Sequence, residues 1–453
     1  MKTKTSDLAQ EIDELNLVDS HEHLVAEQQW MEMDILQDLF FPPYIQADLL
    51  VAGADPDAVG RLSDPSGEIE SRFADVRDAW EASKHTGYGE AVRLVAEEVY
   101  GIEELTAPAL EQAQSTLKSL QRPGEMYRLL SDVARLDHVQ IHDYQRTRQW
   151  ESGHHEFFLH DLCWWQPCRG EIPVNEIYDE TGIEVTNLDE LREAFAEIFR
   201  RFAPTSIAVK SAHAYHRTLL WEERSDAAAA RALQTALAGG DADGATGTSA
   251  TSGLPSSPSS VVLGDWCWAR GVELAIEHER PFKLHTGYLA RNGRMSIDHI
   301  RPGNLCPLLV RYPEARFVLM HAGYPYGDEL IALAKHYPNV YVDLCWAWSI
   351  DPYSTADFVR RFLHAVPANK LFAFGGDTCS PTNTVAFAIQ ARRSLTRALE
   401  AEVTTGDLTE REAISVARRI MRENQYACFD LEGTRAAACE QLKVAAETVE
   451  ASS

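Results

Sequence analysis

The sequence predicts an α/β fold, and three observations indicate it. Eight short, strand-like segments recur along the 453-residue chain. They are residues 16–23, 138–144, 155–165, 206–212, 281–287, 316–323, 339–346 and 370–377. Most of them are continuously apolar, which is typical of parallel strands that are buried on both faces. Helical patterns such as 188–203 and 327–337 lie between them, and eight strand–helix units are the number that closes a (β/α)₈ TIM barrel.

Two stretches interrupt this alternation. Residues 25–135 are too long for one crossover and have helical patterns, so we expect a helical insertion after strand 1. Residues 237–260 are rich in Gly, Ser, Thr and Ala and are expected to form a flexible, low-complexity loop. The remaining pattern is consistent with a single barrel domain over 1–453.

Composition narrows the class of partner. The formal net charge of −27 argues against a nucleic-acid or anionic-membrane partner, because phosphates would be repelled. The first residues carry no apolar signal segment and no apolar run reaches about 18 residues, so we expect a cytoplasmic protein with no membrane span. The eight cysteines are scattered, which favours free thiols. We expect a small-molecule partner, and the sequence leaves assembly into homo-oligomers open.

Ionisable side chains collect where the apolar strands end. The residues concerned are His21, His23, Lys210, His285, His321 and Asp377. His21 and His23 are two positions apart, so both side chains lie on one face of strand 1. The carboxyl ends of barrel strands converge on one mouth, which is where barrel enzymes hold their active sites. Each residue alone has a simpler explanation, such as a satisfied core histidine or a helix cap at Asp377, but the ordered set favours a site.

Imidazole nitrogens with a carboxylate oxygen are a donor set for a divalent metal. They suit Zn²⁺ best, with Mn²⁺ as the principal alternative. A metal with an open position lowers the pKa of its bound water towards ~7 and supplies hydroxide at neutral pH. A nearby carboxylate can take the proton, and a histidine can polarise a carbonyl or protonate a leaving group.

The ordered set resembles the amidohydrolase superfamily. The matching segments are HEH (21–23), VKS (209–211), KLHTG (283–287), LMHAG (319–323) and FGGDT (374–378). Residues 281–377 are most similar to the amidohydrolase-2, or amidohydrolase-related, branch. The insertion after strand 1, LHTGYLARNG (284–293) and ENQYACF (423–429) also resemble uronate isomerases.

The resemblance implies specific roles for these residues. The implied ligands of one metal ion are His21, His23, His285 and Asp377. Asp377 would also be the general base, and His321 the acid or electrophile. Lys210 leaves the number of ions at one or two: it is a carboxylated bridge between two metals, a contact for a substrate carboxylate, or a structural ion-pair partner.

Cations and aromatic residues follow the same strands. Arg169, Arg217, Arg291 and Arg294 are expected near the mouth, where a cation could bind a carboxylate-bearing substrate. Tyr324 and Trp346 could wall a small, planar or partly apolar molecule. We take Arg291, Tyr324 and Trp346 as substrate-binding candidates.

Together, these features predict a metal-dependent hydrolase. A metal-bound hydroxide would cleave an amide, ester or lactone bond of a small, carboxylate-bearing substrate. The alternatives on the same metal site are non-oxidative decarboxylation of an aromatic acid and isomerisation of a uronate-type sugar. A histidine on strand 6, which the uronate isomerase pattern lacks, favours the first two reactions.

Overall fold

Eight parallel strands form the centre of the molecule in the computed structural model, which describes residues 6–40, 43–144, 153–239, 257–293 and 295–452. They are β1 (Leu17–Glu22), β2 (Leu136–Ile141), β3 (Phe158–Cys163), β4 (Ser206–Ser211), β5 (Phe282–Leu284), β6 (Phe317–Leu319), β7 (Val340–Asp343) and β8 (Leu371–Phe372). Each pairs with the next in chain order. Ser20 N donates to Phe374 O across the remaining seam (3.1 Å), so the sheet curls into the predicted (β/α)₈ barrel.

Helices surround this barrel and precede β1. Helix α1 spans Asp7–Glu14. The helices between β1 and β2 are α2 (Glu27–Met31), α3 (Ile35–Leu39), α4 (Tyr44–Val51), α5 (Pro56–Arg61), α6 (Ile69–Ala74), α7 (Arg77–Ser83), α8 (Gly87–Leu94), α9 (Ala107–Leu120) and α10 (Glu125–Arg128). The helices after β3 are α11 (Trp165–Arg169), α12 (Val174–Thr181), α13 (Leu188–Phe202), α14 (Asp226–Leu237), α15 (Pro258–Glu277), α16 (Cys306–Arg311), α17 (Gly327–His336), α18 (Ala347–Ile350), α19 (Pro352–Ala365), α20 (Pro381–Thr405), α21 (Glu410–Arg418), α22 (Asn424–Cys428) and α23 (Leu431–Ser452). The helical insertion expected after strand 1 is therefore present.

Helix α13 illustrates how the sequence sets these elements. Asn187 caps its first turn by accepting from the backbone N–H groups of Asp189 and Glu190. Apolar side chains at three- and four-residue spacing are buried, including Leu191, Phe195 and Phe199. Acidic residues occupy its first turn and basic residues its last, which complements the helix dipole. The helix agrees closely with the predicted range.

The insertion is fixed to the barrel end through a buried carboxylate. Asp38 on α3 accepts from Trp30 Nε1 at 3.0 Å and from the Tyr100 hydroxyl at 2.5 Å, both within the insertion. It also accepts from the hydroxyls of Ser380 and Thr382, which lie at the N-terminus of α20, the first helix after β8. The insertion therefore sits against the segment that follows Asp377.

The expectations for the cysteines, membrane spans, low-complexity loop and domain boundary have different outcomes. All eight cysteines are free, as predicted. None of the helices in the described ranges is long and apolar enough to cross a membrane. Most of the loop predicted at 237–260 lies outside the described residues; its ends form the last residue of α14 and the first turn of α15. The single-domain boundary stays a prediction.

Candidate metal centre

The barrel places the predicted residues at one mouth. His21 lies at the end of β1 and His23 directly follows it, Lys210 lies at the end of β4, and His285 follows β5. His321 and Asp377 follow β6 and β8. All six lie at the carboxyl ends of their strands, as expected for a TIM-barrel site. His21, Lys210, His285, His321 and Asp377 are buried, and His23 is partly exposed.

Three of the predicted ligands form a compact donor set. His21 Nε2 and His23 Nε2 each lie 3.3 Å from Asp377 Oδ1. The three donor atoms lie within 4.8 Å of one another, so a single ion could contact all of them. His23 Nδ1 is 2.7 Å from the carbonyl oxygen of His142, which directs its Nε2 towards Asp377.

The protonation states of this set suit metal binding. Burial lowers the pKa of His21 well below its ordinary value, so the ring is neutral at pH 7. Burial alone would raise the pKa of Asp377, but the close contacts with the His21 and His23 rings hold that pKa far below its usual range. The site therefore combines neutral imidazole with carboxylate, the forms in which these side chains ligate metals.

His285 and His321 pair with each other instead of joining the three donors. His321 Nε2 and His285 Nδ1 lie 2.8 Å apart. The outer nitrogens face carbonyl oxygens, His321 Nδ1 at 3.1 Å from Cys345 and His285 Nε2 at 2.9 Å from Tyr288. Burial lowers the pKa of both rings, that of His285 to about 3. Two neutral imidazoles carry only two N–H groups, but these rings make three contacts. One contact therefore has no hydrogen, and the ring nitrogen there can bind another partner.

Lys210 is enclosed beside this pair. Its Nζ lies 2.7 Å from Met320 Sδ, and within the described ranges Lys210 forms no ion pair. Burial lowers the pKa of Lys210, although the charge of Asp377 acts against that shift. The structural ion-pair role, one of the three expected for this lysine, therefore finds no partner among the described residues.

Two glycines let β8 approach β1 closely enough to build the site. A Cβ on Gly376 would lie 2.0 Å from Glu22 Oε1, and one on Gly375 would lie 2.7 Å from Ser20 Oγ. Asp377 N donates to His21 O at 2.8 Å. The carboxylates of Asp19 and Glu22 also accept backbone N–H groups from this turn.

Three site residues have left-handed backbones. The φ angles are +61° at His321, +61° at Trp346 and +58° at Asp377. Such conformations cost about 1–3 kcal/mol each in a non-glycine residue and persist where the surrounding structure holds them. The mouth of the barrel therefore stores backbone strain at the predicted functional residues.

Comparisons with known proteins agree with this arrangement. The sequence matches the amidohydrolase family over residues 169–414, more than half of the chain. The chain belongs to the amidohydrolase family. An enzyme of this family is what the ordered motifs predict, so that interpretation is confirmed at the level of the superfamily.

Individual relatives resemble parts or all of this amidohydrolase. Protein fluG of Emericella nidulans is 30% identical over 178 residues, which is 37% of this chain and 20% of that protein, so the match spans a fifth of the curated relative. The uronate isomerase of Thermotoga maritima has the same fold with a TM-score of 0.75 and 15% identity, covering 93% of this chain and 96% of its own. A Lactobacillus casei structure, provisionally assigned as a metal-dependent hydrolase, has a TM-score of 0.66 and 15% identity, covering 95% of this chain and 99% of its own.

The predicted substrate-binding residues lie around the same mouth of the amidohydrolase. Trp346 is buried, with its ring centroid 5.5 Å from that of His321 and 5.0 Å from that of Tyr44 on α4. Tyr324 is partly buried and reaches this group through Tyr288, whose centroid lies 6.0 Å away. The insertion therefore supplies part of the aromatic wall.

The four predicted cations differ in their surroundings. Arg217 forms a buried ion pair with Asp265 at 2.5 Å, so its role is structural. Arg169 pairs with Glu171 at 2.6 Å. Arg291 is exposed and follows Ala290, whose backbone N–H donates to the hydroxyl of Tyr215; the Tyr215 ring lies 4.8 Å from that of His285, so Arg291 lies near the mouth. Arg294 lies outside the described residues.

Several site residues were missed from the sequence. The Tyr44 hydroxyl donates to the carbonyl oxygen of Asp377. Tyr144 stacks on His23 with centroids 4.7 Å apart and an interplanar angle of 3°. Asp161 and Lys283 form a buried ion pair of 2.8 Å inside the barrel. The signal for the last two was available, because each is an ionisable residue within a predicted strand.

Proposed function

We propose that this protein is a metal-dependent hydrolase that cleaves an amide, ester or lactone bond of a small, carboxylate-bearing substrate. The observation that carries the proposal is the position of His321. Its Nδ1 lies 3.9 Å from Asp377 Oδ2, beside the carboxylate that also contacts His21 and His23. A histidine next to a metal-ligating carboxylate provides the acid–base pair that hydrolysis requires.

The residues present fit a divalent ion such as Zn²⁺ or Mn²⁺. His21, His23 and Asp377 provide two nitrogens and one oxygen from a buried pocket. His285 is the fourth proposed ligand, and its contact with Tyr288 is the one that would be released. An ion bound to such a set lowers the pKa of a coordinated water towards ~7, which supplies a nucleophile at neutral pH.

The protein's own groups would carry the proton transfers. Asp377 is ionised at neutral pH and would accept the proton from the attacking water through its free carboxylate lone pairs. His321 is neutral because burial lowers its pKa, and its Nδ1–H, which faces the carbonyl oxygen of Cys345 at 3.1 Å, would donate instead to the oxygen that becomes negative. His285 holds the His321 ring at 2.8 Å and so fixes the direction of that bond.

The mouth supports an anionic substrate with a planar or ring-shaped body. Arg291 and Lys210 are the cations there without an ion pair in the described part of the chain. Either could bind a substrate carboxylate. Trp346 and Tyr324 belong to the aromatic group that would pack against the rest of the substrate.

Isomerisation of a uronate sugar is the second candidate. The observation that favours it is the extent of the structural likeness to uronate isomerases, which includes the insertion. The glucuronate isomerase of Caulobacter crescentus has a TM-score of 0.72 with 15% identity and covers 93% of this chain and 92% of its own. Decarboxylation of an aromatic acid would use the same mouth, with Arg291 or Lys210 holding the carboxylate.

A panel of substrates on metal-loaded protein separates the three reactions. Hydrolysis incorporates ¹⁸O from labelled water into one product, and decarboxylation releases CO₂ from substrate labelled at the carboxyl carbon. Isomerisation converts glucuronate or galacturonate into the ketose without loss of atoms. We expect the first result with N-acyl amino acids, esters or lactones. Turnover of uronates alone, with no hydrolysis of any carboxylate-bearing amide, ester or lactone, would overturn the proposal. The Asp377→Asn variant is the inactive control in each assay.

A further inference from the structure

A charged layer lies inside the barrel, directly beneath the candidate metal centre. The side chains that form it come from alternate strands: Ser20 from β1, Asp161 from β3, Lys283 from β5 and Asp343 from β7. Lys283 Nζ donates to both oxygens of Asp161, at 2.8 and 3.1 Å, and to the carbonyl oxygen of Ser20 at 2.8 Å. Ser20 Oγ donates to Asp343 at 2.6 Å. Each of these side chains is buried.

Stability does not account for this layer. Barrel interiors of this class are filled mainly by branched apolar side chains, with four in a layer contributed by alternate strands. Replacing a buried ion pair by apolar residues of similar volume is often neutral or stabilising, because the desolvation cost of two charges is large. A charged pair in this layer therefore calls for a role at the site above it.

The pair faces the predicted ligand His21. Asp161 Oδ2 lies 3.8 Å from His21 Nδ1, the ring nitrogen opposite the one that faces Asp377. His21 Nδ1 is buried and has no hydrogen-bond partner within the described residues. Lys283 also holds the carbonyl oxygen of Ser20, the residue before His21. The same lysine thus fixes both the backbone next to the ring and the carboxylate that faces it.

We infer that Asp161, oriented by Lys283, is a positioning residue that keeps the proton of His21 on Nδ1 and leaves Nε2 as the metal-binding atom. A carboxylate facing Nδ1 favours the tautomer with its proton there, and metal-ligating histidines almost always donate their second N–H in this way. The inference depends on the metal centre of the proposed function but not on which reaction that centre performs.

The Asp161→Asn variant reverses this preference while keeping the shape of the side chain. Lys283 only donates and lies nearer to Oδ1 (2.8 Å) than to Oδ2 (3.1 Å), the oxygen that faces His21, so the amide oxygen of the asparagine should take the Oδ1 position and its NH₂ group should face His21. An NH₂ group donates to Nδ1 and moves the His21 proton to Nε2, where it blocks metal binding. Asp343→Asn is the matched control, because Asp343 lies in the same layer and bonds Ser20 and Cys345 but no predicted ligand.

Two measurements test the inference. The first is the dissociation constant of Zn²⁺ and of Mn²⁺ by competition with a chelator. We expect Asp161→Asn to weaken binding by about 10- to 100-fold, the usual effect of losing such a partner, and Asp343→Asn to change it by less than about threefold. The second is the ¹⁵N spectrum of histidine-labelled, metal-free Asp377→Gly protein, which lacks the carboxylate that faces Nε2 at 3.3 Å, with His21 assigned by its loss in His21→Ala. The His21 proton should lie on Nδ1 in Asp377→Gly and on Nε2 in Asp161→Asn/Asp377→Gly.

Equal weakening in both variants, or a His21 proton on Nε2 in Asp377→Gly, would overturn the inference. If Asp161→Asn does not fold, the double variant Asp161→Leu/Lys283→Met removes the carboxylate together with its lysine partner and leaves no buried charge unpaired. It should still bind metal at least about tenfold more weakly, and wild-type affinity there would also overturn the inference. A wild-type protein that binds neither ion would instead remove the proposed function.

Discussion

Sets of three possible metal ligands lie close together at two places in the described part of the chain, one inside the barrel mouth and one on its outer surface. The inner cluster contains His21, His23 and Asp377. The outer cluster contains His364, Glu402 and Asp407, at the ends of α19 and α20. The His21 side chain is 1% exposed and the His364 side chain 55%. Residue types alone would rank the two clusters as equal candidates for a metal.

The partners of each carboxylate separate them. Glu402 accepts hydrogen bonds from Arg360 and from His364, the latter at 2.6 Å, so its oxygens already have donors. The Asp377 carboxylate lies against the rings of His21, His23 and His321, and burial keeps His21 neutral. The outer cluster is thus an ion-pair network, and the inner one is a set of free donors. A metal centre is recognised by its unsatisfied donor capacity and not by its composition.

The largest expected effect is the loss of metal and activity in His23→Ala. Removing one of three neighbouring donors should abolish stoichiometric binding, while the apolar barrel core keeps the fold. Elemental analysis of protein purified without chelator measures the metal content, and circular dichroism checks the fold. His364→Ala is the control and should keep full metal content. Metal lost in His364→Ala but retained in His23→Ala would reverse the comparison.

Lys210→Met should reduce kcat strongly without destabilising the protein. Removing a preorganised charge at a reacting centre typically costs about 10²–10³ in kcat. A buried ammonium without an ion pair is itself costly, so the free energy of unfolding should stay equal or rise. The measurements are kcat and urea unfolding of the same preparation. A variant with full turnover would exclude both functional roles of Lys210.

The metal content per chain separates those two roles. Two ions per wild-type chain, falling to one in Lys210→Met, together with stimulation of the wild type by bicarbonate, would indicate a carboxylated bridge. One ion in both proteins would leave Lys210 as a contact for the substrate.

The strand ends could be predicted from the sequence because their geometry follows from local pattern. Continuous apolar runs predict parallel strands, and parallel strands bring their carboxyl ends to one mouth. That reasoning placed His21, His23 and Asp377 together correctly. It could not predict that His285 would pair with His321, because that depends on side-chain rotation after the strand ends.

Residues set by three-dimensional packing were beyond that reasoning. Asp161 and Lys283 lie within strands, and whether they face the barrel interior depends on the register between strands. Tyr44 comes from the insertion, whose position is fixed by the hydrogen bonds to Asp38 and not by a repeat in the sequence. Ionisable residues within predicted strands were the overlooked signal.

Asp343 and Glu402 should respond to pH in opposite directions. Burial raises the folded-state pKa of Asp343 from 3.8 to about 6. The folded state therefore binds this proton more tightly, and its stabilising contribution is present below pH ~4 and lost as the pH rises through 6. Burial would raise the pKa of Glu402 too, but Arg360 and His364 lower it overall, so its contribution is lost as the pH falls through that lowered pKa.

Urea unfolding of metal-free protein between pH 4 and 7 measures both contributions. As the pH rises over this range, the free energy of unfolding of Asp343→Asn should increase relative to that of the wild type by up to about 3 kcal/mol, which is the energy equivalent of the pKa shift. Glu402→Gln should change in the opposite sense, losing relative stability as the pH rises. A difference between Asp343→Asn and the wild type that does not depend on pH would show that Asp343 does not titrate in this range.

The smallest expected effect concerns the exposed cations beside the two clusters. Arg291 lies at the barrel mouth without an ion pair in the described residues, whereas Arg360 is already paired with Glu402. A charge-assisted hydrogen bond contributes about 1.5–3 kcal/mol, so Arg291→Ala should raise KM for a carboxylate-bearing substrate by about tenfold or more. Its metal content and its kcat should change little, because Arg291 touches neither the donor set nor His321. Arg360→Ala should leave KM unchanged, since its charge serves Glu402 on the outer surface.

The same substrate with its carboxylate replaced by a neutral amide provides the decisive comparison: it should bind the wild type and Arg291→Ala equally weakly. An equal KM for the acid and the amide in the wild type would mean that the mouth does not select for charge, and Lys210 would then lose its substrate-binding role as well.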